Sequence, residues 1–197
     1  MLMNVDVAVY QQPKEGNYYC GDSYFYEQSD SEFICAIADG LGSGEYAKES
    51  SQIVIDIIRE NSHADVDDLV KKINKQLLGK RGVVVGILKV NLIDKIFTYS
   101  SIGNIGVMLV KEGKKVKRNI PNSGYLAGYR RPFKEIEGEL EPNMNFIMFS
   151  DGIGDRELSE PYFLKKNVQE VVSAYKQRTS EKAKDDKTLI AIGYKGT

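Results

Sequence analysis

The sequence has few of the residues that build disulfide frameworks and zinc sites, with two cysteines and one histidine among 197 residues. Cys20 and Cys35 lie in or beside apolar runs and form no scaffold spacing, so we predict buried, reduced thiols in a cytosolic protein. The histidine, His63, follows the end of a predicted helix, and we predict an exposed loop residue rather than a metal ligand. A metal site in this chain would therefore use oxygen ligands, which suit Mg²⁺ or Mn²⁺ better than Zn²⁺.

The chain also lacks a surplus of charge of either sign, a long apolar run and a basic leader. Its net charge is −1, whereas nucleic-acid binders usually carry a basic surplus, so we expect no nucleic-acid partner. No apolar run approaches the ~20 residues that a membrane helix needs, and the opening MLMNVDVAVY does not have the form of a signal peptide. With 42% hydrophobic and 28% charged residues, the sequence predicts one globular domain over residues 1–197, which we expect to be a monomer without a membrane partner.

Hydrophobic periodicity predicts many strands and few helices. Alternating or continuous apolar runs predict strands at 5–10, 23–26, 33–38, 83–90, 96–101, 105–110, 145–149 and 187–194. Helical spacing of apolar residues predicts helices at 46–60, 66–78 and 168–177. Because the helices do not alternate strictly with strands, this order favours an α+β sandwich of mostly antiparallel sheets over a doubly wound parallel sheet.

The segment FICAIADGLGSGEYAKES, at 33–50, joins an apolar strand to a helix through a glycine-rich turn. A Rossmann turn would need a third glycine where Glu45 stands, and a strand rather than a second helix after the first helix. A P-loop would need a lysine and a hydroxyl residue directly after Gly44, and neither is there. Taken alone, the turn could simply result from packing of the helix against the sheet. Its unusual feature is Asp39 at the mouth, where a carboxylate would repel a phosphate.

Acidic residues recur beside glycine or at the ends of predicted strands. Asp22 precedes one strand, Asp39 and Asp151 follow two others, and the pair Asp185 and Asp186 precedes the last. One such residue is usually a turn former or a helix N-cap, but strands that lie side by side would bring all of these carboxylates to one mouth. Clustered carboxylates raise each other's pKa unless cations compensate. The pattern therefore predicts a divalent metal site, in which Asp39 holds metal ions that in turn receive a phosphate.

Four short motifs occur in order along the chain: GDSYF at 21–25, ADGLGSG at 38–44, SDG at 150–152 and DDKT at 185–188. As an ordered set they resemble the metal-dependent Ser/Thr protein phosphatases of the PPM family. The short length, KRG at 80–82 and SGYLAG at 123–128 are most similar to the small phosphatases that reset the bacterial stressosome. The resemblance implies a four-layer αββα sandwich of two mostly antiparallel sheets flanked by helices, with metal ions at one end.

The same resemblance implies the residues of the site. Asp39 would bridge two Mn²⁺ or Mg²⁺ ions, the Gly40 carbonyl would bind one of them, and Asp151 and Asp185 would complete the other. Asp22 would act nearby, directly or through water, so that Asp22, Asp39, Asp151 and Asp185 form the implied catalytic set. A hydroxide that bridges the ions would attack phosphorus in line, without a phosphoenzyme.

Three further residues are expected around the ligands. Asp186 stands where the family has Asp or Asn, and it could lie behind the metal ligands. Thr188 is predicted to fix the Asp185 loop by hydrogen bonding. Asn104 could approach the metals, although for Gly103 and Asn104 we favour a hairpin turn between two strands.

The sequence departs from the larger members of the family in three places. No arginine stands at 17–20, before Asp22, where many members use one for phosphate, and the SIGNI turn at 101–105 has no acid for a third metal. The stretch at 119–142 is predicted to be irregular and is shorter than the flap of larger members. Within it, Tyr125 and Tyr129 flank a glycine-rich bend, and we predict loop anchors rather than partner contacts.

These observations favour one function and leave two alternatives. The favoured function is removal of phosphate from phosphoserine or phosphothreonine of bacterial stress-signalling (stressosome) regulators, which would give negative feedback on the general stress response. A second enzyme hypothesis is a phosphatase that resets another phospho-switch, such as an anti-sigma antagonist in sporulation. The non-enzyme hypothesis is a pseudophosphatase that binds a phosphoprotein without hydrolysis. The complete set of acids favours an enzyme.

Overall fold

The computed structural model describes residues 5–118, 123–129 and 131–196, which form two five-stranded sheets with helices outside them. The strands, in chain order, are β1 (Val5–Gln12), β2 (Asp22–Gln28), β3 (Glu32–Gly40), β4 (Val83–Asn91), β5 (Ile96–Ile102), β6 (Gly106–Lys111), β7 (Lys114–Arg118), β8 (Lys134–Glu139), β9 (Met144–Phe149) and β10 (Lys187–Tyr194). The helices are α1 (Glu45–Glu60), α2 (Val66–Gln76), α3 (Asp155–Leu158) and α4 (Val168–Arg178), with a short 3-10 helix at Pro161–Leu164.

The two sheets are assembled differently along the chain. One has the strand order β2-β3-β4-β5-β8, in which the first four strands follow one another in sequence. The other has the order β1-β10-β9-β6-β7, so the first and last strands of the described chain lie side by side. Every neighbouring pair of strands is antiparallel. This topology confirms the predicted α+β sandwich and rules out a doubly wound parallel sheet.

Side chains that alternate along the strands divide the core into three layers. On β3, Cys35 and Ile37 face the space between the sheets, while Ala36 packs with apolar residues of α1 and α2. Between the sheets the rings of Phe97 and Phe146 meet edge to face, with centroids 4.9 Å apart. The outer face of the second sheet packs against α4 and the short helices before it. The result is the expected four layers: helices, sheet, sheet, helices.

Two glycines fix how β3 leads into α1. A Cβ on Gly40 would collide with the main-chain carbonyl of Ala47, so only glycine lets the first turn of α1 lie against the end of the strand. Gly44, which precedes α1, has a φ of 74°, a left-handed conformation that costs glycine little. The residues after Asp39 are thereby held close to the sheet end rather than extended into solvent.

The prediction of irregular structure at 119–142 was wrong for β8, and β7 was also not predicted. The residues of β8 read KEIEGE, and Ile136 is the one that is deeply buried, so the apolar signal of this edge strand is weak. Its place in the sheet depends on pairing with β5, a contact that local sequence does not encode. Residues 119–122 and 130 of that stretch lie outside the described residues.

The prediction of a hairpin at Gly103 and Asn104 was also wrong. Gly103 has the positive φ of a turn, 88°, but the strands on either side, β5 and β6, belong to different sheets. The turn therefore carries the chain across the sandwich instead of reversing it within one sheet.

The cysteines behave as predicted. Cys20 and Cys35 are both buried and form no disulfide. The side chain of His63 is exposed in the turn after α1, again as expected. Across the described ranges, no helix is both long and apolar enough to span a membrane.

Candidate metal centre

Asp22 and Asp39 lie opposite each other on adjacent strands. Asp22 is the first residue of β2 and Asp39 the last but one of β3, and the two are register partners. Alternation along β3 gives Asp39 the same face as Cys35 and Ile37, which point toward the other sheet. Partners across a strand pair share a face. Both carboxylates therefore close the same end of the space between the sheets.

Asp22 is fully buried and joins the two sheets. Its Oδ2 accepts a hydrogen bond of 2.7 Å from the hydroxyl of Thr188, on β10 of the opposite sheet. The amide of Gln11, on β1, donates to the Thr188 hydroxyl at 3.0 Å and to the Asp22 carbonyl at 3.3 Å. Because the Thr188 oxygen accepts from Gln11, its own hydrogen is free to point at Asp22. Sequence analysis missed Gln11, which is recognisable only from its register partnership with Thr188.

Thr188 was predicted to fix the Asp185 loop, and the structure corrects that role. Its hydroxyl bonds to Asp22, and its main-chain N–H donates to the Ser150 hydroxyl at 2.9 Å. The Ser150 hydroxyl also lowers the pKa of Asp22, but it makes no hydrogen bond of regular geometry with the Asp22 Oδ1 atom. Within the described ranges Oδ1 has no hydrogen-bond partner. A buried carboxylate oxygen without a partner is suited to receive a cation.

Asp151 follows β9 and is held by Asn104. The Asn104 amide donates to Asp151 Oδ2 at 2.6 Å, so the turn that crosses between the sheets delivers a side chain to the acids. Asn104 was expected to approach this site only as the less favoured alternative. The separation of 47 positions along the chain explains why the contact could not be read from local pattern.

Asp185 and Asp186 precede β10 and have different surroundings. Asp185 is exposed, and its Oδ1 accepts the main-chain N–H of Asp186 at 3.0 Å. Asp186 is buried, and its Oδ1 accepts the main-chain N–H of Lys14 at 2.9 Å. Gly21 packs so closely on the other Asp186 oxygen that a Cβ there would collide with it. Both carboxylate oxygens of Asp186 are thus in contact with protein atoms, whereas the side chain of Asp185 is exposed to solvent.

Electrostatics shows that these acids share one site. Burial, and next the charges of Asp22, Asp151, Asp185 and Asp186, raise the pKa of Asp39 to about 9. Burial raises the pKa of Asp22 to about 6 against the hydrogen bonds that it accepts. Asp151 lies at the rim, yet desolvation and the charge of Asp185 raise its pKa as well. Without a cation, the carboxylates therefore oppose each other's ionisation.

Lys48 is the cation that sequence analysis missed. It lies in the first turns of α1, and its Nζ donates to the Asp22 carbonyl at 3.2 Å and to the Ser23 hydroxyl at 2.9 Å. These bonds tie α1 to the start of β2. In the described part of the chain Lys48 forms no ion pair with a carboxylate, so it does not neutralise the acids directly.

The donor set fits a hard divalent cation. The side chains available are carboxylates, with the Gly40 main chain beside them, and no histidine or cysteine thiolate is at the mouth. Among the described residues, no three acid, histidine or cysteine side chains are already arranged to hold one ion. Mg²⁺ does not require such a group, because it keeps several waters and commonly takes one or two carboxylates. The raised pKa values and the unpartnered Asp22 Oδ1 atom are consistent with sites of that kind.

Comparison with known proteins assigns the chain to a family. The model of the family described as stage II sporulation protein E (SpoIIE) matches residues 29–195. The chain belongs to the SpoIIE family. The match includes three of the four motifs, ADGLGSG, SDG and DDKT, and begins after GDSYF.

Phosphoserine phosphatase RsbX of Bacillus subtilis (strain 168) is 35% identical to this SpoIIE-family chain over 187 residues, 95% of this chain and 94% of RsbX. A crystal structure of RsbX in complex with magnesium matches with a TM-score of 0.85, over 96% of this chain and 94% of that one.

Two more distant structures share the fold. One, from work on the bacterial stressosome as a modular system adapted to control secondary messenger signalling, has a TM-score of 0.81 at 22% identity over 96% of this chain and all of that one (100%). The serine/threonine phosphatase PstP/Ppp of Mycobacterium tuberculosis has a TM-score of 0.74 at 13% identity over 97% of this chain and 99% of that one. Together with its SpoIIE-family membership and its likeness to RsbX, the fold makes this chain a protein-serine/threonine phosphatase of the PPM type.

Proposed function

We propose that the protein removes phosphate from phosphoserine or phosphothreonine of regulators in a bacterial stress-signalling complex, the stressosome, and so gives negative feedback on the general stress response. The observation that carries the proposal is the convergence of acids from both sheets at one mouth, with Asp39 raised to a pKa of about 9. Its likeness to RsbX, a named phosphoserine phosphatase, supports the substrate class. We further propose that it acts in the cytoplasm as a monomer, and its net charge of −1 favours no nucleic-acid partner.

Five groups would hold two divalent ions, Mn²⁺ or Mg²⁺: the side chains of Asp22, Asp39, Asp151 and Asp185 and the carbonyl of Gly40. When bound, the ions would supply Lewis-acid chemistry, which would activate water for attack on phosphorus and offset charge on the phosphate oxygens. Magnesium in the RsbX crystal structure is in keeping with this choice of metal.

The chain itself would orient these ligands. Thr188, aligned by Gln11, holds one oxygen of Asp22 and leaves the other free for a ligand. Asn104 donates to the Oδ2 atom of Asp151 and so restricts the rotation of that carboxylate. Asp186 is engaged by main-chain N–H of Lys14 and would steady the loop beside Asp185. Such outer contacts set the orientation of metal ligands.

The two cysteines are not suited to act as nucleophiles in a competing mechanism. Burial raises the pKa of both cysteine thiols, Cys20 and Cys35, so neither is available as a thiolate at neutral pH. Neither cysteine is followed by the arginine of a phosphate-binding loop. Direct attack by activated water is the route that the residues support.

One observation favours a second substrate. The matching family is described by a sporulation protein, which favours an anti-sigma antagonist or another phospho-switch as the phosphoprotein. The catalytic chemistry would be the same. A pseudophosphatase is not favoured, since every expected acid is present.

The test is hydrolysis of p-nitrophenyl phosphate with Mn²⁺, with Mg²⁺ and with EDTA. We expect metal-dependent turnover that Asp39→Asn and Asp151→Asn abolish. Asp30→Asn is the matched control, because Asp30 is an exposed acid in the turn between β2 and β3, away from the mouth. Turnover that survives EDTA, or both site variants, would contradict the metal mechanism. Trapping of a phosphorylated stress regulator, but not an anti-sigma antagonist, by Asp39→Asn would select the first substrate.

A further inference from the structure

An exposed aromatic patch lies beside the acids, and the proposed chemistry does not use it. We call it the mouth patch and define it by Leu41, Tyr46, Arg81 and Tyr125. The exposed fraction is 38% for Leu41, 66% for Tyr46 and 45% for Tyr125. Tyr125 was predicted to anchor its loop, and nearly half of the residue is also open to solvent. Contiguous exposed apolar groups of this kind often mark interaction sites.

Contacts show that the patch is one surface. The main-chain N–H of Leu41 donates to the Gly82 carbonyl at 2.8 Å. A Cβ on Gly82 would collide with both the Tyr125 ring and the Leu41 side chain, so these two side chains meet over that glycine. The Arg81 guanidinium lies 5.5 Å from the centre of the Tyr46 ring and donates to the Leu41 carbonyl at 3.2 Å. Three chain segments, 41–46, 81–82 and the residue Tyr125, thus contribute to one patch.

The patch is continuous with the candidate metal centre. Leu41 follows Gly40 directly, two positions after Asp39. Gly40 is the register partner of Val83, and Val83 in turn forms a bridge with Leu126, the neighbour of Tyr125. Two residues of an extended peptide span about 7 Å. When the phosphoserine of a substrate peptide reaches the acids, the peptide residues about two positions away from it can therefore contact the patch.

The chemistry of the patch indicates what the occupant presents. Tyrosine and arginine are enriched where proteins bind proteins. Tyrosine offers a large rigid surface with few rotatable bonds, and arginine offers a planar guanidinium with several donors. Arg81 is fixed by a carbonyl and a ring, and it forms no carboxylate pair within the described ranges. Its remaining N–H groups can donate to main-chain carbonyls of a bound peptide. Leu41 and Tyr125 offer an apolar contact next to them.

We propose that the mouth patch is the docking surface for the substrate segment around the phosphoserine, and that it selects substrates with an apolar side chain near that residue. This rests on the proposed function. It adds a specificity rule that metal chemistry alone cannot supply, because metal ions recognise the phosphate and not its neighbours.

The test uses two synthetic phosphoserine peptides that differ only at the second residue on each side, leucine in one and serine in the other. We expect kcat/KM to be about tenfold higher for the leucine peptide, equivalent to about 1.4 kcal/mol. The double variant Tyr46→Ser with Tyr125→Ser should reduce that preference to about twofold or less, equivalent to about 0.4 kcal/mol. Turnover of p-nitrophenyl phosphate, which has no flanking residues, should not change.

Tyr26→Ser is the matched control. Tyr26 is as exposed as Tyr125, 44% against 45%, but it lies four residues along β2 from Asp22, about 13 Å away. It should keep the full peptide preference.

Each other outcome overturns the proposal in a recognisable way. Equal kcat/KM for the two peptides, or a preference that survives the double variant, would contradict docking while leaving the phosphatase intact. No turnover of p-nitrophenyl phosphate by the unaltered protein with Mn²⁺ would refute the proposed function and the docking role together. If the double variant only converts a dimer to a monomer in sedimentation, the patch is an interface between copies of this chain.

Discussion

The two ends of the β2-β3-β4-β5-β8 sheet differ in which charged side chains lie next to each other. At the mouth, Asp22 and Asp39 face each other, and burial raises the pKa of both. At the far end, Glu32 opens β3 and lies 3.0 Å from the Nδ1 atom of His63. Near it, the half-buried Lys89 donates to the Ala64 carbonyl. Burial lowers the pKa of Lys89, while Glu32 and Asp65 act to raise it.

The difference separates a structural arrangement from one that requires a ligand. At the far end a cation, Lys89, lies near the acids Glu32 and Asp65, so charges of opposite sign are grouped within the chain. At the mouth, several acids lie close together and repel one another. The nearby cation, Lys48, donates its hydrogen bonds to a main-chain carbonyl and a hydroxyl instead of to a carboxylate. A fold can retain such a cluster when a cation occupies it. Binding of metal then contributes to stability as well as to chemistry.

The largest effect is expected for Asp39→Asn, which removes the centre of the cluster. Activity should fall by more than about 100-fold, since loss of outer contacts alone costs 10–100-fold in comparable metal sites. In EDTA at neutral pH, however, the variant should be more stable, because folding no longer requires a buried carboxylate to take up a proton. We expect its Tm in EDTA to rise by at least about 2 °C, measured by calorimetry.

Asp30→Asn should leave both activity and the Tm in EDTA unchanged, because Asp30 is exposed in a turn. If Asp39→Asn had a lower Tm in EDTA than the unaltered protein, the acids at the mouth would stabilise the fold without metal. The contrast drawn between the two ends of the sheet would then be wrong.

The next effect concerns the contact between the two sheets. Thr188→Val removes the hydroxyl that donates to Asp22 at 2.7 Å but keeps the side-chain volume. We expect the Mn²⁺ concentration for half-maximal activity to rise about 10–100-fold. Thr188→Ser, which retains the hydroxyl, should stay close to the unaltered protein. Equal losses for both variants would indicate that packing of Thr188, and not its hydrogen bond, matters.

Stability without metal should also depend on pH in an unusual direction. The pKa of Asp39 is raised from 3.8 to about 9 on folding, so the folded chain binds this proton more tightly than the unfolded chain. The contribution of Asp39 to the free energy of unfolding is complete below pH 3.8 and is lost as the pH rises toward about 9. In EDTA the free energy of unfolding should therefore decrease between pH 6 and about 9.

Urea unfolding at several pH values measures this slope. Saturating Mn²⁺ should flatten it, and Asp39→Asn should flatten it in EDTA too. A slope that neither change reduces would mean that other groups titrate in this range, and the repulsion at the mouth would then be small.

The sequence was most informative where one segment carries its own signal. The apolar runs of β3, β9 and β10 predicted strands, and acids at their ends predicted that Asp39 and Asp151 would meet. It was least informative where partners are far apart in the chain. Gln11 reaches Thr188 across 177 positions and Asn104 reaches Asp151 across 47, so no local pattern predicts either contact. Edge strand β8 was missed for the same reason.

The smallest effect is expected at the far end. His63 and Glu32 have side-chain exposures of 76% and 50%, and pairs this exposed contribute about 0–1 kcal/mol. His63→Gln should therefore change the free energy of unfolding by less than about 1 kcal/mol and leave metal-dependent hydrolysis of p-nitrophenyl phosphate unaltered. Glu32 and Asp39 lie near opposite ends of β3, so this variant asks whether the two ends are independent. A loss of activity without a loss of stability would show that the strand transmits a change from one end to the other, and the far end would then have to be counted with the site.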